Sequence, residues 1–552
     1  MKRQVFCFCL LGALLAASCS RGGGTPEQRF IRDVASALGG VSAVEGTDRL
    51  VLESVLEGEG ESYWLGENRN PDADLPVFRA LFRWAFDWEN DRFRKEELRI
   101  PQFLYGNAAM SQLIYGLDGD AAYEIGVDVK VIRQPDPAAR ERKAELRMHP
   151  IGMVRAALAP DASIGPIKTS GGADSTEIKL ADGSVLTLVV DSTTKLPSRI
   201  STRVSHPILG DVVEEIEFAD YRKESGVMVP ANFVVRYDNK MIAKFRAVSQ
   251  KVNFDPDQLL PDAAHNGFSK SVRLQVPPVV KTRKPVALAM MVGNDSTLSL
   301  PVQIEEAAPG VWYVTGGAYY SVLVEFADHM TLIEAPVDDQ RFDGIIAKAK
   351  ELAPSKPVTE LVVTHHHFDH LGGVRAAIAA GLTLYVRGNV QPITRSPERG
   401  RAAPSLRSAE SFYEDLARQP HTLVPDTLAK APKTPIIKIV EDKLTLSDAT
   451  RTMDLYPIEG SEYADTLLMA YLPKEQLLVE ADVYTPPADE YKTIMLFPFA
   501  PNLLENIEKR KLTVERILPL HGRIVPLASL VKFATAPKPL DPAASEGFDA
   551  GR

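Results

Sequence analysis

Past residue 19 the chain has no cysteine; its three cysteines are Cys7, Cys9 and Cys19. No disulfide can brace the fold, and any metal site must be built from His, Asp, Glu, Tyr or water. An excess of positive charge is also missing. The net charge is −10, which excludes the domain-wide basic footprint of a nucleic-acid binder. Apolar residues make up 45% of the chain and charged residues 25%, which is too apolar for an acidic disordered chain. After the N-terminal segment no run is apolar enough to cross a membrane as a helix.

What is there begins with "MKRQVFCFCLLGALLAASCS". Lys2 and Arg3 precede an apolar stretch from Val5 to Ala17, the pattern of a bacterial secretory signal. "LAASC" resembles a lipobox, the cleavage site of bacterial lipoproteins. The resemblance implies lipidation at Cys19 and a place on the periplasmic side of the cell envelope. Ser20 is not the aspartate that commonly holds such proteins at the inner membrane, so the outer membrane is favoured. Ordinary cleavage after Ser18 is the alternative, and it leaves Cys19 as an unpaired thiol.

At 552 residues the chain predicts two domains. The expected layout is a signal over 1–18, a tether over 19–29, a β-rich accessory domain over 30–275, a linker over 276–289, a second domain over 290–535 and a disordered tail over 536–552. "EQRFIRDVASALGG" reads as a short helix closed by glycine. "FRALFRWAFDWENDRFRKEELRI" alternates apolar and polar residues as strands do. Asp-Gly pairs at Leu117–Asp120 and Leu180–Ser184 signal hairpins. "AARERKAELRMHPIGMVRAALA" is helical with a break near Pro150. The meander from "STEIKLADGS" to "KFRAVS" resembles the curved sheets of periplasmic lipoprotein-handling proteins; a β-rich domain without a ligand is the equal alternative. "VPPVVKTRKPVALA" lacks a period and marks the linker. After it, strands alternate with helices, which predicts an α/β layered architecture.

The chemistry concentrates in "VVTHHHFDHLGG". Four of the chain's ten histidines fall in His365–His370. The run follows an apolar strand and precedes a helix, so it sits on a loop where open α/β sheets bind ligands. In an extended loop alternate residues point the same way. His365 and His367 therefore grip one metal, Asp369 and His370 aim at a neighbouring point, and His366 turns away. Imidazole and carboxylate suit zinc first, with iron or manganese possible.

"THHHFDHLGG" looks like the HxHxDH signature of the metallo-β-lactamase-fold metallohydrolases, a resemblance that covers roughly residues 300–533. It implies a C-terminal αββα sandwich after an antiparallel β-rich domain with few helices. It also implies a bridging carboxylate at Asp482, in "LPKEQLLVEADVYTP", and a last ligand at His521, in "RILPLHGRIVP". The chain departs from the family at "IEGSEYADTLLMAYLP", where Tyr463 stands in place of a usual histidine. A phenol with a pKa of about 10 is a poorer ligand than neutral imidazole, so the half-site of His365 and His367 is expected to be the weaker one. Two metals, one metal, or a fold without catalysis all remain open. Glu334, ending a strand, is expected to hold a ligating imidazole from behind.

The implied activity is metal-dependent hydrolysis of an ester, thioester, lactone, amide or phospho- or sulfo-ester. Bound water, its pKa lowered toward about 7, attacks, and Asp369 orients it or takes its proton. Arg395, Arg399 and Arg401 lie on a loop that can clamp an anionic group, although a solvated insertion is the plainer reading. The partners expected are a small-molecule substrate and, through the lipid anchor, a membrane. The rival reading is a non-catalytic envelope lipoprotein that binds a lipid-like or protein partner through its first domain.

Overall fold

The computed structural model describes residues 24–54, 60–103, 111–125, 131–134, 136–254, 302–317, 319–388, 408–487 and 498–535. The signal 1–18, Cys19, the linker 276–289, the tail 536–552 and Arg395, Arg399 and Arg401 lie outside the described residues. Among those described, no helix is long and apolar enough to cross a membrane.

The N-terminal half is one 16-stranded sheet. All its neighbours pair antiparallel, as between Gly210–Glu224 and Val227–Tyr237. Its hairpins turn where expected: Gly119 and Gly183 take φ of 58° and 87°, which glycine adopts without a Cβ clash. In Val227–Tyr237 the residues Val227, Val229, Ala231, Phe233, Val235 and Tyr237 alternate inward. The strand pair Val77–Asp87 and Arg92–Pro101 departs from the expected alternation and is buried along most of its length. One face packs against helices, and on the other buried charges pair with one another, Arg83 with Glu53 at 2.7 Å and Arg94 with Glu96 at 2.6 Å. Helices Pro26–Ala37 and Pro150–Leu158 place Phe30, Ile31, Val34, Ile151 and Val154 in one apolar cluster with Trp84, Phe86 and Phe233.

The first helix begins inside the expected tether, because Thr25 and Gln28 form a reciprocal capping box and Pro26 supplies a preset φ. The helical stretch around Pro150 divides into Asp136–Leu146 and Pro150–Leu158, with the His149 side chain capping the second.

The C-terminal half holds a seven-stranded and a six-stranded sheet. In the first, Met330–Ile333, Val358–Val362, Thr383–Arg387 and Ile436–Val440 run parallel. Strand periodicity of two divides its side chains between two layers. Leu323, Leu332, Leu361 and Leu384 meet Phe342, Ile345, Ala377 and Ile378 of the covering helices. Val322, Ile333, Val362 and Tyr385 meet Leu455, Ala470, Val479 and Leu518 of the other sheet. That second sheet is covered on its far face by Leu503, Ile507 and Leu530.

Among the described residues Ile208 packs into the C-terminal apolar cluster, the His206 ring lies 5.3 Å from that of Phe368, and two polar contacts also join the halves. Asp211 accepts hydrogen bonds from the backbone of Thr422 (2.9 Å) and Leu423 (3.1 Å). The second contact is a strap, residues 66–70, which leads away from the strand Glu61–Tyr63 and lies on the loop after Val358–Val362.

Candidate metal centre

Four strand ends deliver the site. Glu334 follows Met330–Ile333, His365 to His367 follow Val358–Val362, Asp482 follows Leu477–Glu480, and His521 follows Arg516–Pro519. The helix Phe368–Leu371 then turns Asp369 and His370 inward. Two of the carboxylates sit on a strained backbone: Glu334 and Asp482 take φ of 67° and 65°. A non-glycine residue held there costs about 1–3 kcal/mol, and such positions cluster at functional sites.

The residues singled out from the sequence converge as two sets. Asp369, His370, Asp482 and His521 form one, and His365, His367 and Asp482 form the other; within each set the ligand-capable atoms lie within 4.8 Å of one another. Asp482 belongs to both. Its Oδ2 lies 3.2 Å from His365 Nε2 and 3.2 Å from His370 Nε2, and its Oδ1 lies 2.8 Å from His521 Nε2. Tyr463 stands beside the first set and donates to Asp482 Oδ2 at 2.7 Å.

The imidazoles are held from behind. His370 Nδ1 donates to Glu334 Oε2 at 2.9 Å, and the other oxygen of Glu334 accepts from the Thr364 backbone N–H at 2.6 Å. A neutral His370 thereby keeps Nε2 free, facing Asp482. His367 Nε2 donates to the Asn68 carbonyl at 3.0 Å, which turns Nδ1 toward the Tyr463 hydroxyl at 3.1 Å. Carbonyl and carboxylate partners of this kind fix the tautomer of a metal-binding imidazole. His366 turns away from both sets; it lies against Thr466 Oγ1 and donates to the same Asn68 carbonyl at 2.8 Å.

Two features went unread in the sequence. Glu67 and Asn68 come from the N-terminal half, although every expected ligand lay in the C-terminal half. Glu67 Oε2 is 3.1 Å from His367 Nδ1, and its carboxyl group hydrogen-bonds with Asp369. The available signal was a polar, Gly- and Pro-containing segment between the strands Glu61–Tyr63 and Val77–Asp87, a loop long enough to suggest a role. Glu462, the neighbour of Tyr463, is exposed and takes no part.

The electrostatics are those of crowded buried acids. Burial, then the charge of Asp482, pushes Glu67 up to about 8. Burial, then Glu67, pushes Asp369 up to about 7. Burial acts the same way on Asp482, but His370 and His521 outweigh it and hold this carboxyl well below its usual range. Burial alone would lower His370; Asp369, Asp482 and Glu334 raise it well above the ordinary imidazole value. Burial, then His370, drives His365 well below it.

The donor set fits divalent cations. Asp369 Oδ1 is buried without a hydrogen bond among the described residues, and buried polar atoms are rarely left so. Imidazole nitrogens and carboxylate oxygens are the donors zinc takes in the absence of thiolate.

Residues 315–381 match the model of the metallo-beta-lactamase superfamily. The chain thus carries a metallo-beta-lactamase superfamily domain C-terminal to a strongly β-rich region with few helices. Among solved structures, the FIM-1 metallo-beta-lactamase from Pseudomonas aeruginosa in its mono-zinc form is 17% identical, with a TM-score of 0.30, over 43% of this chain and 94% of that one. The metallo-beta-lactamase from Pontibacter korlensis is 16% identical, with a TM-score of 0.29, over 42% and 97%. That from Hirschia baltica is 16% identical, with a TM-score of 0.29, over 42% and 96%. Among curated proteins none matches the chain.

Proposed function

We propose that the C-terminal half is a metal-dependent hydrolase in a four-layered αββα arrangement, zinc being the first choice of metal and iron or manganese the others. The observation that carries this is the meeting of two ligand sets at one shared carboxylate, Asp482. His365, His367 and Asp482, with Tyr463 beside them, would hold one ion; Asp369, His370, His521 and Asp482 would hold the other. When bound, such ions supply a Lewis acid that activates water and polarises an ester, thioester, lactone, amide, phosphoester or sulfate ester.

The chain's own residues define how a substrate reaches this chemistry. His365, His367 and His370 are buried behind the strap, whereas the side chains of Asp369 and His521 remain 15% and 20% exposed. The substrate therefore approaches from the side of Asp369 and His521. Asp369, with one oxygen unpartnered, is the group placed to orient the attacking water or accept its proton. Arg395, Arg399 and Arg401 are proposed to clamp an anionic substrate group.

A screen of ester, thioester, lactone, amide, phosphoester and sulfate substrates with zinc-, iron- and manganese-loaded protein tests the reading. Turnover of one class, lost in Asp369→Asn, supports it; metal-loaded protein inert on every class favours the non-catalytic envelope lipoprotein instead. We further propose that lipidation at Cys19 tethers the protein to the periplasmic face of the outer membrane. Mass spectrometry of the mature N-terminus tests this, and an unmodified Cys19 in soluble protein would rule it out.

A further inference from the structure

We propose that Glu67, carried in by the N-terminal half, is a ligand of the metal held by His365 and His367, and does the work of the imidazole that Tyr463 replaces. The inference rests on reading the centre as a metal site.

Four observations lead there. The first is position. Glu67 Oε2 stands 3.1 Å from His367 Nδ1, the ring nitrogen that faces the Tyr463 hydroxyl at 3.1 Å while Nε2 donates to Asn68. The second is charge. The Glu67 side chain is 6% exposed, and among the described residues no lysine or arginine pairs with Glu67, Asp369 or Asp482. Buried charges are paired or coordinate metals. Two divalent cations bring four positive charges to these three carboxylates.

The third observation concerns Tyr463. Its hydroxyl is committed as donor to Asp482, and a neutral phenol is a weak ligand. Because Asp482 is shared with the other ion, His365 and His367 are the only donors of their set that this ion has to itself, whereas a catalytic zinc takes three protein ligands beside its water. Glu67 is the carboxylate that reaches His367, whereas Glu462, next to Tyr463, is exposed.

The fourth is that the strap is built to hold Glu67 in place. Gly66 takes φ 85°, and a Cβ there would come within 2.2 Å of the Phe368 ring. The Gly66 carbonyl accepts from Phe368 N–H at 3.3 Å. On the other side, Arg69 Nε and Asn70 Nδ2 donate to Asp465 at 2.7 and 3.1 Å, and the Arg69 carbonyl accepts from Asp465 N–H at 2.7 Å. Asp465 lies on the loop that carries Tyr463. The strap is thus fastened to the histidine loop before Glu67 and to the tyrosine loop after it.

The test uses the full chain, with zinc equilibrium dialysis and cobalt(II) absorption as readouts and no activity assay. The wild type should bind two ions. Glu67→Gln should keep the ion of Asp369, His370 and His521 and lose affinity for the other by about 100-fold or more, beyond the range seen when a supporting group is removed. Glu67→Asp, a shorter carboxylate, should fall between. Adding Tyr463→His to Glu67→Gln should restore two ions. Circular dichroism of the metal-free variants checks that each is folded. A folded Glu67→Gln protein with the same stoichiometry and affinities as the wild type overturns the role of Glu67. A wild type that binds no ion overturns the metal reading of the centre itself, which is a different result.

Discussion

In the N-terminal half, Lys95 Nζ lies 2.6 Å from Glu145 Oε1, with side chains only 4% and 2% exposed, and Arg142 donates to the Gly116 carbonyl at 2.8 Å and pairs with Glu124 at 3.3 Å. In the centre of the C-terminal half, the four carboxylates of Glu67, Glu334, Asp369 and Asp482 meet four imidazoles, and among the described residues no lysine or arginine joins them. The first arrangement closes on itself: each charge has an opposite charge or a carbonyl within reach. The second is made of imidazoles and carboxylates alone, turned toward the shared carboxylate of Asp482. A fold needs the first to bury a charge at all. It has no use for the second unless something positive enters, which is why perturbed clusters of this type mark functional sites.

The strongest way to break this comparison is Asp482→Ala. Asp482 belongs to both ligand sets, so both ions should be lost, as read by elemental analysis after dialysis. Retention of one tight ion would show that the two sets are independent. Lys95→Met makes the reciprocal test in the other half. It leaves Glu145 buried and unpaired and should cost about 3–5 kcal/mol in urea unfolding of the metal-free protein, with zinc stoichiometry unchanged. A zinc-binding defect in that variant would mean that the halves are coupled beyond the strap.

Acid should act on the N-terminal half through two buried imidazoles. Burial lowers His149 and His206 to about 3, and each uses Nδ1 as an acceptor, His149 from Ile151 N–H and His206 from Ile208 and Leu209 N–H. The folded-state pKa is depressed below the ordinary imidazole value near 6.5. The stability these groups contribute is therefore full above pH 6.5 and is lost as pH falls toward 3. Denaturant titrations of metal-free protein should show a decline on the order of a few kcal/mol across that window, and His149→Asn with His206→Asn, which keep an acceptor, should flatten it. An unchanged slope would move the acid sensitivity to other groups.

The smallest effect is expected from Gly66→Ala. The added Cβ meets the Phe368 ring, and relief of such overpacking costs about 1–3 kcal/mol. The strap should shift and loosen the ion of His365 and His367 while sparing that of Asp369, His370 and His521. Isothermal titration would resolve the two, and equal weakening of both would show that the strap supports the whole centre.

Much of the centre was legible because its ligands ride on short elements with strong local signals. An apolar strand, a histidine loop and a helix in immediate succession place His365, His367, Asp369 and His370 by backbone geometry alone. Asp482 and His521 carry no such local signal, and their roles were implied by the resemblance of their segments to a family pattern. Tyr463 was legible as a departure from a family pattern, but its partner was not: its hydroxyl bonds to Asp482, which no spacing predicts. In the fold, the Asp-Gly hairpins and the break at Pro150 followed from backbone preferences. The strands Val77–Asp87 and Arg92–Pro101 misled because their polar positions are buried too, Arg83 paired with Glu53 and Arg94 with Glu96, which is a tertiary fact.

By itself, then, the sequence determined the donor chemistry. With no cysteine beyond residue 19, the ligands had to be nitrogen and oxygen, and the histidine loop set where most of them stand. Only the tertiary structure decided that Glu67 and Asn68 stand beside these histidines. Asn68 meets His366 across a separation of 298 residues, and a contact of that range leaves no period, cap or turn signal in either segment. It arises because the strap is fastened to both loops of the centre, by Gly66 at Phe368 and by Arg69 and Asn70 at Asp465. These packing and hydrogen-bond terms exist only once the two halves are folded against each other.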